Sequence, residues 1–339
     1  MLKKWINKSR EAYNFTLEKL QTDKDVPKSK LKLKNLLVKK FNKDTPNTVI
    51  EYAIFQALLA YKASYKTSKK RSCNNLTQSI CVDGRSVKND YIYPRNSKKY
   101  FKENDIDHRK QVIKNLPKSN KILTITYKKY SNKFYIIEPV EVERTRTKKR
   151  HFISLDPGVR SFVTFYSSIG VGSAGEDLNK KLIRLFESQD KLNAKINEEK
   201  EFKRKSKLKR ACAKIRGKIK NLVDDFHWKL CKFLTKFKTI ILPDFTTKKM
   251  AGTLPSKVSR IILSQSHYRF KQRLIQKSYE RRNNVIICNE SYTSKTCTRC
   301  GEQNDKLGAS KKFKCEKCKL CIDRDENGAR NILLRTCKQ

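Results

Sequence analysis

Four cysteines carry the clearest chemistry in this sequence. Cys297-x2-Cys300-x14-Cys315-x2-Cys318 holds two CxxC knuckles. Each knuckle presents two thiolates from one tight turn, and two such turns build a tetrahedral sulfur site for Zn2+. Gly301 after the first knuckle suits that turn. Cys321 follows Cys318 by three residues, so the second pair can be Cys315/Cys318 or Cys318/Cys321. Unligated buried thiols are the weaker reading of this spacing. A site closed by four thiolates is structural. The other cysteines are isolated and read as small core residues. Eleven cysteines is an odd number. With no secretory leader at the start, a reducing compartment and a metal site fit better than a disulfide framework.

The second signal is a set of carboxylates where strands end. Asp156 closes an apolar strand before Pro157-Gly158, and Asn289-Glu290 follows the strand Val285–Cys288. Asp323 and Asp325 open the last helix. Carboxylates gathered at strand ends in a cationic groove are what Mg2+-dependent phosphodiester cleavage needs. Two ions take oxygen ligands, orient water and stabilise the leaving oxygen. Plainer readings stand beside this one. Asp323 or Asp325 can be a helix N-cap, and Glu290 can pair with a surface lysine. His227, on a helix, reads as a structural contact rather than a proton carrier. Lys248 and Lys249 could grip a phosphate backbone.

These residues must be positioned by definable elements. Residues 2–22 read as an amphipathic helix, with Leu2, Trp5, Ile6, Tyr13, Leu17 and Leu20 near one face. A short helix follows around Leu31–Phe41. Another starts at Pro46, with Val49, Ala53, Ile54, Ala57, Leu58 and Tyr61 at helical spacing. The segments Ser79–Val82, Tyr91–Tyr93, Ile122–Tyr127 and Phe134–Ile137 are short, β-branched and aromatic, as in a small sheet or barrel. Glu143 to His151 reads as a charged linker. Phe152–Asp156 and Ser161–Tyr166 then form a strand pair, and residues 176–238 two long antiparallel helices broken near Lys203–Lys207. A strand at Thr239–Leu242, a helix at Ile261–Arg282, a strand at Asn284–Cys288, the cysteine-rich insert and a short helix from Glu326 to Arg335 complete the chain. Strands alternating with helices after residue 151 imply an α/β layer architecture.

Charge narrows the class of partner. The 339 residues hold 80 Lys+Arg against 33 Asp+Glu, a net +47. The excess is +23 over residues 1–150 and +24 over the rest, so both halves face a polyanion. Nucleic acid is the first choice and an anionic membrane surface the second. With 14 Tyr, 16 Phe and 2 Trp the chain has the aromatics for real cores, which argues against disorder. The most apolar stretch, Val49 to Tyr61, is too short to span a bilayer and carries Glu51 and Gln56. The start, Met1-Leu-Lys-Lys-Trp, has no apolar region of a secretory signal. The expectation is an intracellular protein of nucleus or cytoplasm with no membrane partner. Lys69-Lys-Arg71 and Lys148-Lys-Arg150 read as solvated or phosphate-contacting linkers ahead of nuclear-targeting signals.

Taken in order, the motifs resemble the TnpB/Fanzor family, the transposon-encoded relatives of the CRISPR type V nucleases. Asp156-Pro-Gly-Val-Arg160 resembles the first RuvC motif of that family. Asn289-Glu290-Ser-Tyr-Thr-Ser-Lys-Thr-Cys297-Thr-Arg-Cys300-Gly301 resembles its entry into a zinc ribbon, and Phe313-Lys-Cys315-Glu-Lys-Cys318 the second knuckle. Asp323-Arg-Asp325-Glu-Asn-Gly-Ala-Arg-Asn-Ile332 resembles the last RuvC motif. The resemblance covers residues 151–335, with a weaker echo at Trp5, Arg10, Tyr13 and Asn14.

The resemblance implies an RNase H-like (RuvC) core over 151–339, with a helical hairpin insert at 176–238 and a zinc ribbon at 293–322. It implies a helical recognition part and a β-barrel wedge over 1–150. Asp156 and Asp325 correspond to the first and third metal ligands, with Asp323 as the less favoured neighbour of Asp325. Bacterial members carry Glu where Pro243 stands here. Fanzor-type members use a displaced glutamate before the zinc ribbon, which Glu290 matches, with Asp244 in reserve. Asp244 can equally cap a helix before Thr246 or lie in a loop. Family members also have a strand ahead of the helix bearing the Trp and Tyr-Asn residues, so a shortened start is expected here.

The implied function is RNA-guided cleavage of double-stranded target DNA for a mobile element, with Zn2+ structural, Mg2+ catalytic and guide RNA as partner. Two rival readings are a non-cleaving nucleic-acid-binding regulator derived from such a nuclease, and a zinc-ribbon transcription factor. The second of these leaves the three carboxylates unexplained.

Overall fold

A computed structural model describes residues 1–41, 44–64, 67–88, 91–104, 116, 119–145, 150–245, 247, 251–252, 254–289, 291–305, 307–308 and 310–337. The chain forms two compact units, Met1–Glu141 and Val142–Gln339. The division falls at the start of the charged segment because its first residues are tied to the second unit. The Thr145 N–H donates to the Glu280 carbonyl at 3.2 Å, and the Arg144 guanidinium lies 4.2 Å from the Tyr279 ring centre. Among the described residues no helix is long and apolar enough to cross a membrane.

In the first unit α1 (Leu2–Thr22), α2 (Lys30–Phe41) and α3 (Asn47–Ala63) share one apolar core. The helical stripe of α1 buries Tyr13, Leu17 and Leu20 there. Its first turns turn Trp5 and Ile6 toward a second core, beneath the sheet. Arg71 joins this packing rather than solvent. Its guanidinium stacks 3.8 Å from the Tyr13 ring centre and donates to Gln56 Oε1 at 2.9 Å. The Asn14 side chain holds the Arg71 backbone from both sides.

The sheet of this unit has the order β1 (Thr77–Asp83), β4 (Ile122–Lys128), β5 (Lys133–Ile137), all antiparallel. A separate pair, β2 (Val87–Lys88) and β3 (Tyr91–Ile92), precedes α4 (Pro94–Glu103). Among the described residues this is an open three-stranded sheet with a small hairpin; they do not close a barrel. The sequence pattern missed α4. Pro94 occupies its first turn, where a missing N–H costs nothing, after Tyr93 in the left-handed region.

The second unit is built on a five-stranded sheet. A meander comes first: β6 (Arg150–Pro157), β7 (Val163–Ser167) and β8 (Gly170–Ala174). Two long helices follow, α5 (Glu176–Glu198) and α6 (Phe202–Leu234), and the chain re-enters the sheet at β9 (Phe237–Pro243), parallel to β6. Then α7 (Ser256–Gln265) and α8 (His267–Glu280) lead to β10 (Asn284–Cys288), parallel to β9. The order is β10-β9-β6-β7-β8. A two-stranded ribbon, β11 (Lys312–Lys314) with β12 (Cys321–Asp323), runs directly into α9 (Arg324–Cys337).

Alternation along β6 sorts the layers. Ile153 and Leu155 face a core filled from α5, α6 and α8 by Leu182, Val223, Leu234, Phe270 and others. Ser154 faces the other way and donates to the Ala329 carbonyl of α9 at 2.8 Å. Ile241 of β9 and Ile332 of α9 pack on that same side. Each fully buried Leu or Ile in these layers is worth roughly 1.5–3 kcal/mol of hydrophobic transfer.

Three details depart from the sequence pattern. β8 was hidden because Gly170 and Gly172 read as turn. The long hairpin breaks at Glu199–Glu201, before the basic run rather than inside it. The helix after residue 255 is two helices, split at Ser266, which has φ 53°.

Candidate active site and cysteine cluster

β6, β9 and β10 run parallel, so their carboxyl ends lie along one edge. The register sets Ser154 level with Ile241 and Pro243 level with Cys288. Asp156, Asp244 and Asn289 therefore come to the same edge from three strands. Glu290 lies outside the described residues.

Asp156 is half-buried, and its surroundings are set by a glycine. A Cβ built on Gly328 of α9 would lie 2.3 Å from Asp156 Oδ2. Only a residue without a side chain lets the helix come this close. Asp325 stands one helical turn before Gly328, and residues three apart share a helix face. The packing thus sets the Asp156 carboxylate beside the turn that carries Asp325. The Asp325 carboxyl is held above the usual carboxylate range, first by burial and then by the charge of Asp323. The cations of Arg160 and Arg324 pull the other way. The crowded carboxylates offer hard oxygen donors whose charge a divalent cation would balance, and the Arg160 and Arg324 cations offset part of that charge.

Asp323 has a different task. Its Oδ1 accepts from the backbone N–H of Asp325 at 2.9 Å and of Glu326 at 3.2 Å. It is the N-cap of α9 and satisfies two otherwise orphaned donors. Asp244 is also committed, in an exposed ion pair with Lys271 at 2.7 Å that draws its pKa down. A cleft of about 200 Å3, with Pro157, Phe245, His267 and Tyr268 among its lining residues, opens beside that pair.

The thiols of Cys297, Cys300, Cys315 and Cys318 all lie within 4.8 Å of one another. Cys297 and Cys318 approach to 3.6 Å and Cys300 and Cys315 to 3.5 Å. A tetrahedron of Zn–S bonds of ~2.3 Å has sulfur–sulfur edges of about 3.8 Å, so the cluster fits Zn2+. The clustered thiols share protons: Cys315 is drawn down to about 7, first by the Cys318 backbone N–H, while Cys300 beside it is pushed up to about 12. Cys321 is not among the clustered thiols; it stands opposite Lys314 across the ribbon, so the second pair is Cys315/Cys318.

The two sites share one helix. Asn327 Nδ2 donates to the Thr296 carbonyl at 2.7 Å, and its Oδ1 accepts from the Thr298 N–H at 3.1 Å. Asn331, four residues on, donates to the carbonyls of Thr293 and Thr296 at 2.8 and 2.6 Å. The face of α9 that carries Asn327 and Asn331 therefore grips the first cysteine knuckle, while Asp325 and Gly328 face the carboxylate edge. Sequence reasoning missed Ser154 and gave no task to Asn327, Gly328 and Asn331, although the last motif contains them. The available signals were a glycine inside a helix and two asparagines at i, i+4.

His227 is fully buried, as a structural histidine should be. Its Nε2 is 2.9 Å from the Gln265 carbonyl, and burial is the main force that lowers its pKa to about 4. His267 stacks on Phe162 with ring centres 4.2 Å apart, and burial takes it to about 3.

Comparison with known proteins bears on this arrangement. Residues 267–332, which include the cysteine cluster and the start of α9, match the family model described as Cas12f1-like, TNB domain. The chain is 26% identical to a protein of Paramecium bursaria Chlorella virus 1 provisionally named a transposase, over 99% of this chain and 83% of that one. It is 32% identical to a TnpB-like protein of Acanthamoeba polyphaga mimivirus over 63% of this chain, and spans 43% of that relative's length. Its fold is similar to that of a chain in a cryo-EM structure of a Cas12f1–sgRNA–target DNA complex, with TM-score 0.55 at 14% identity. That similarity covers 98% of this chain and 81% of the other.

Proposed function

We propose that this chain, which belongs to the TnpB/Fanzor-type family, is an RNA-guided, metal-dependent DNA endonuclease of a mobile element. One observation carries the reading: the Asp156 carboxylate packs against Gly328 on the turn that carries Asp325, at the carboxyl edge of a parallel strand. The strand order, with an antiparallel meander joined to two parallel strands, supports reading this sheet as an RNase H-like (RuvC) core. Asp156, Asp325 and Glu290 would hold two Mg2+, and the four thiols one structural Zn2+. Bound there, the Mg2+ pair would supply Lewis-acid stabilisation of the phosphate and an activated water.

The chain's own residues set the stage. Gly328 admits the Asp156 carboxylate, the Asp323 cap holds the first turn of α9, and Arg160 offsets the charge of Asp325. Residues 1–150 would act as the recognition and wedge region, which reads a short motif beside the target. The neighbouring Cas12f1 complex contains an sgRNA and target DNA, and +47 of net charge suits both partners. In both, base pairing would select the sequence and the protein would hold backbone. The site of action would be the nucleus or cytoplasm of the host cell.

The test is cleavage of target DNA by the full chain loaded with its element's RNA. Mg2+-dependent cutting is expected, weakened more by Glu290→Ala than by Asp244→Ala. The reverse ranking would make Asp244 the second ligand. RNA affinity should fall by about one log unit per log unit of salt for each phosphate neutralised. A flat salt response would overturn the nucleic-acid reading.

A further inference from the structure

A chain of buried hydrogen bonds crosses the apolar core of the second unit and ends on the turn between Asp156 and Arg160. The Arg273 guanidinium donates to His227 Nδ1 at 3.2 Å, which fixes the imidazole proton on Nε2. That N–H donates to the Gln265 carbonyl at 2.9 Å. The Gln265 side chain then donates from Nε2 to Asn179 Oδ1 at 2.7 Å and accepts from His267 Nε2 at 3.0 Å. Asn179 Nδ2 donates to two backbone carbonyls, those of Val159 at 3.0 Å and Arg160 at 2.8 Å.

His227 and Gln265 are fully buried, and His267 and Asn179 nearly so. Every amide atom of Gln265 and Asn179 has a partner, and the direction of donation is consistent along the whole chain. A polar network of this kind is costly in a core unless fully satisfied, and once satisfied it fixes a single geometry. The break between α7 and α8 belongs to the device. Ser266, at φ 53°, ends one helix and starts the next, so that the Gln265 side chain and carbonyl and His267 all turn inward.

We infer that Asn179, Gln265 and His227 are positioning residues for the cleavage reaction, holding the Pro157–Arg160 turn, and with it Arg160, where the chain leaves Asp156 at the carboxyl end of β6. Asn179 bonds backbone rather than any reacting group, so it acts only through the turn. The two carbonyls it holds belong to the peptide units on either side of the Arg160 Cα. Losing both bonds would let the Arg160 backbone, and the guanidinium it carries, turn away. A misplacement of about 1 Å at a reacting centre costs on the order of a hundredfold in rate.

This inference rests on the nuclease reading, and its test separates the two. The RNA-loaded full chain is compared as wild type, Asn179→Ala, Arg160→Ala and the double variant. Asn179→Ala should lower kcat for target cleavage at least tenfold with KM unchanged. The double variant should match Arg160→Ala alone within twofold, because Asn179 acts through the placement of Arg160. A wild-type kcat in Asn179→Ala, or losses that multiply in full, would overturn the proposal. If Asn179→Ala does not fold, His227→Gln, which keeps an amide donor for the Gln265 carbonyl, should retain kcat while His227→Phe loses it. Equal loss in both would overturn the relay. Amide hydrogen exchange at residues 158–162 gives a readout independent of cleavage. Faster exchange there in Asn179→Ala supports the relay even if no variant cuts DNA, an outcome that would sink the nuclease reading alone. Unchanged exchange sinks the relay.

Discussion

The cysteine cluster and the carboxylate edge lie at two ends of one helix's reach, yet they are assembled in opposite ways. The four thiols come from one stretch, Cys297 to Cys318, and local turns alone bring them within 4.8 Å. Asp156 and Asp325 come from opposite ends of the second unit, and Asp156 reaches the turn that carries Asp325 only because β6 and α9 are pressed together through Ser154 and Gly328. The first site is a property of spacing and the second a property of topology. A metal that closed the first would also steady the helix of the second, since Asn327 and Asn331 tie α9 to the knuckle.

The strongest way to break this comparison is to open the closed site. Cys315→Ser should abolish Zn2+ binding, read as zinc per chain by elemental analysis, and lower Tm steeply. Structural zinc contributes about 10–16 kcal/mol of apparent binding energy in isolated fingers. Cleavage should fall with it, because the grip on α9 loosens. If metal is lost while Tm and cleavage stay at wild-type values, the two sites are independent.

A subtler break is Gly328→Ala. An added methyl 2.3 Å from Asp156 Oδ2 must push that carboxylate or the helix aside. Cleavage should drop roughly a hundredfold while zinc content holds. Unchanged cleavage would mean that the helix does not set the carboxylate's place.

Acid should act on the topological part of the unit. His227 and His267 are held neutral, with values lowered to about 4 and about 3 from an unfolded 6.5. Between those limits the unfolded chain binds more protons, so their stabilisation is complete above about pH 6.5. It fades as pH falls toward 4 and then 3. Tm measured from pH 7.5 to 5 should decline, and His227→Phe should flatten the slope. A slope identical in the variant would contradict the burial argument. The smallest effect belongs to the cap. Asp323→Ala should cost about 1 kcal/mol in denaturant unfolding, since it removes two hydrogen bonds and no metal ligand. A loss of cleavage as complete as that of Asp325→Ala would reassign the two aspartates.

The contrast also explains what could be read from sequence. The CxxC pairs announce themselves, and Cys321 was left open only because register across β11 and β12 cannot be counted from spacing. β6 and β9 were legible as apolar runs ending in acid. β8 was not, because glycine suits both a turn and the approach of Phe165 to Gly172. α7 and α8 read as one helix because nothing in Ser264-Gln265-Ser266-His267 marks a left-handed serine. The division of labour between Asp323 and Asp325 needed the helix start to within one residue. Asn179 and Gln265 lie 86 residues apart and meet only in the folded core.

The central claim is that Asp156 and Asp325 together make the cutting site. The direct measurement is single-turnover cleavage of matched target DNA by the RNA-loaded chain, comparing wild type with Asp156→Asn and Asp325→Asn at constant RNA occupancy. The account predicts Mg2+-dependent cleavage by wild type and a loss of roughly a thousandfold or more in each variant, with RNA affinity unchanged. Cleavage at the wild-type rate in either variant would contradict it.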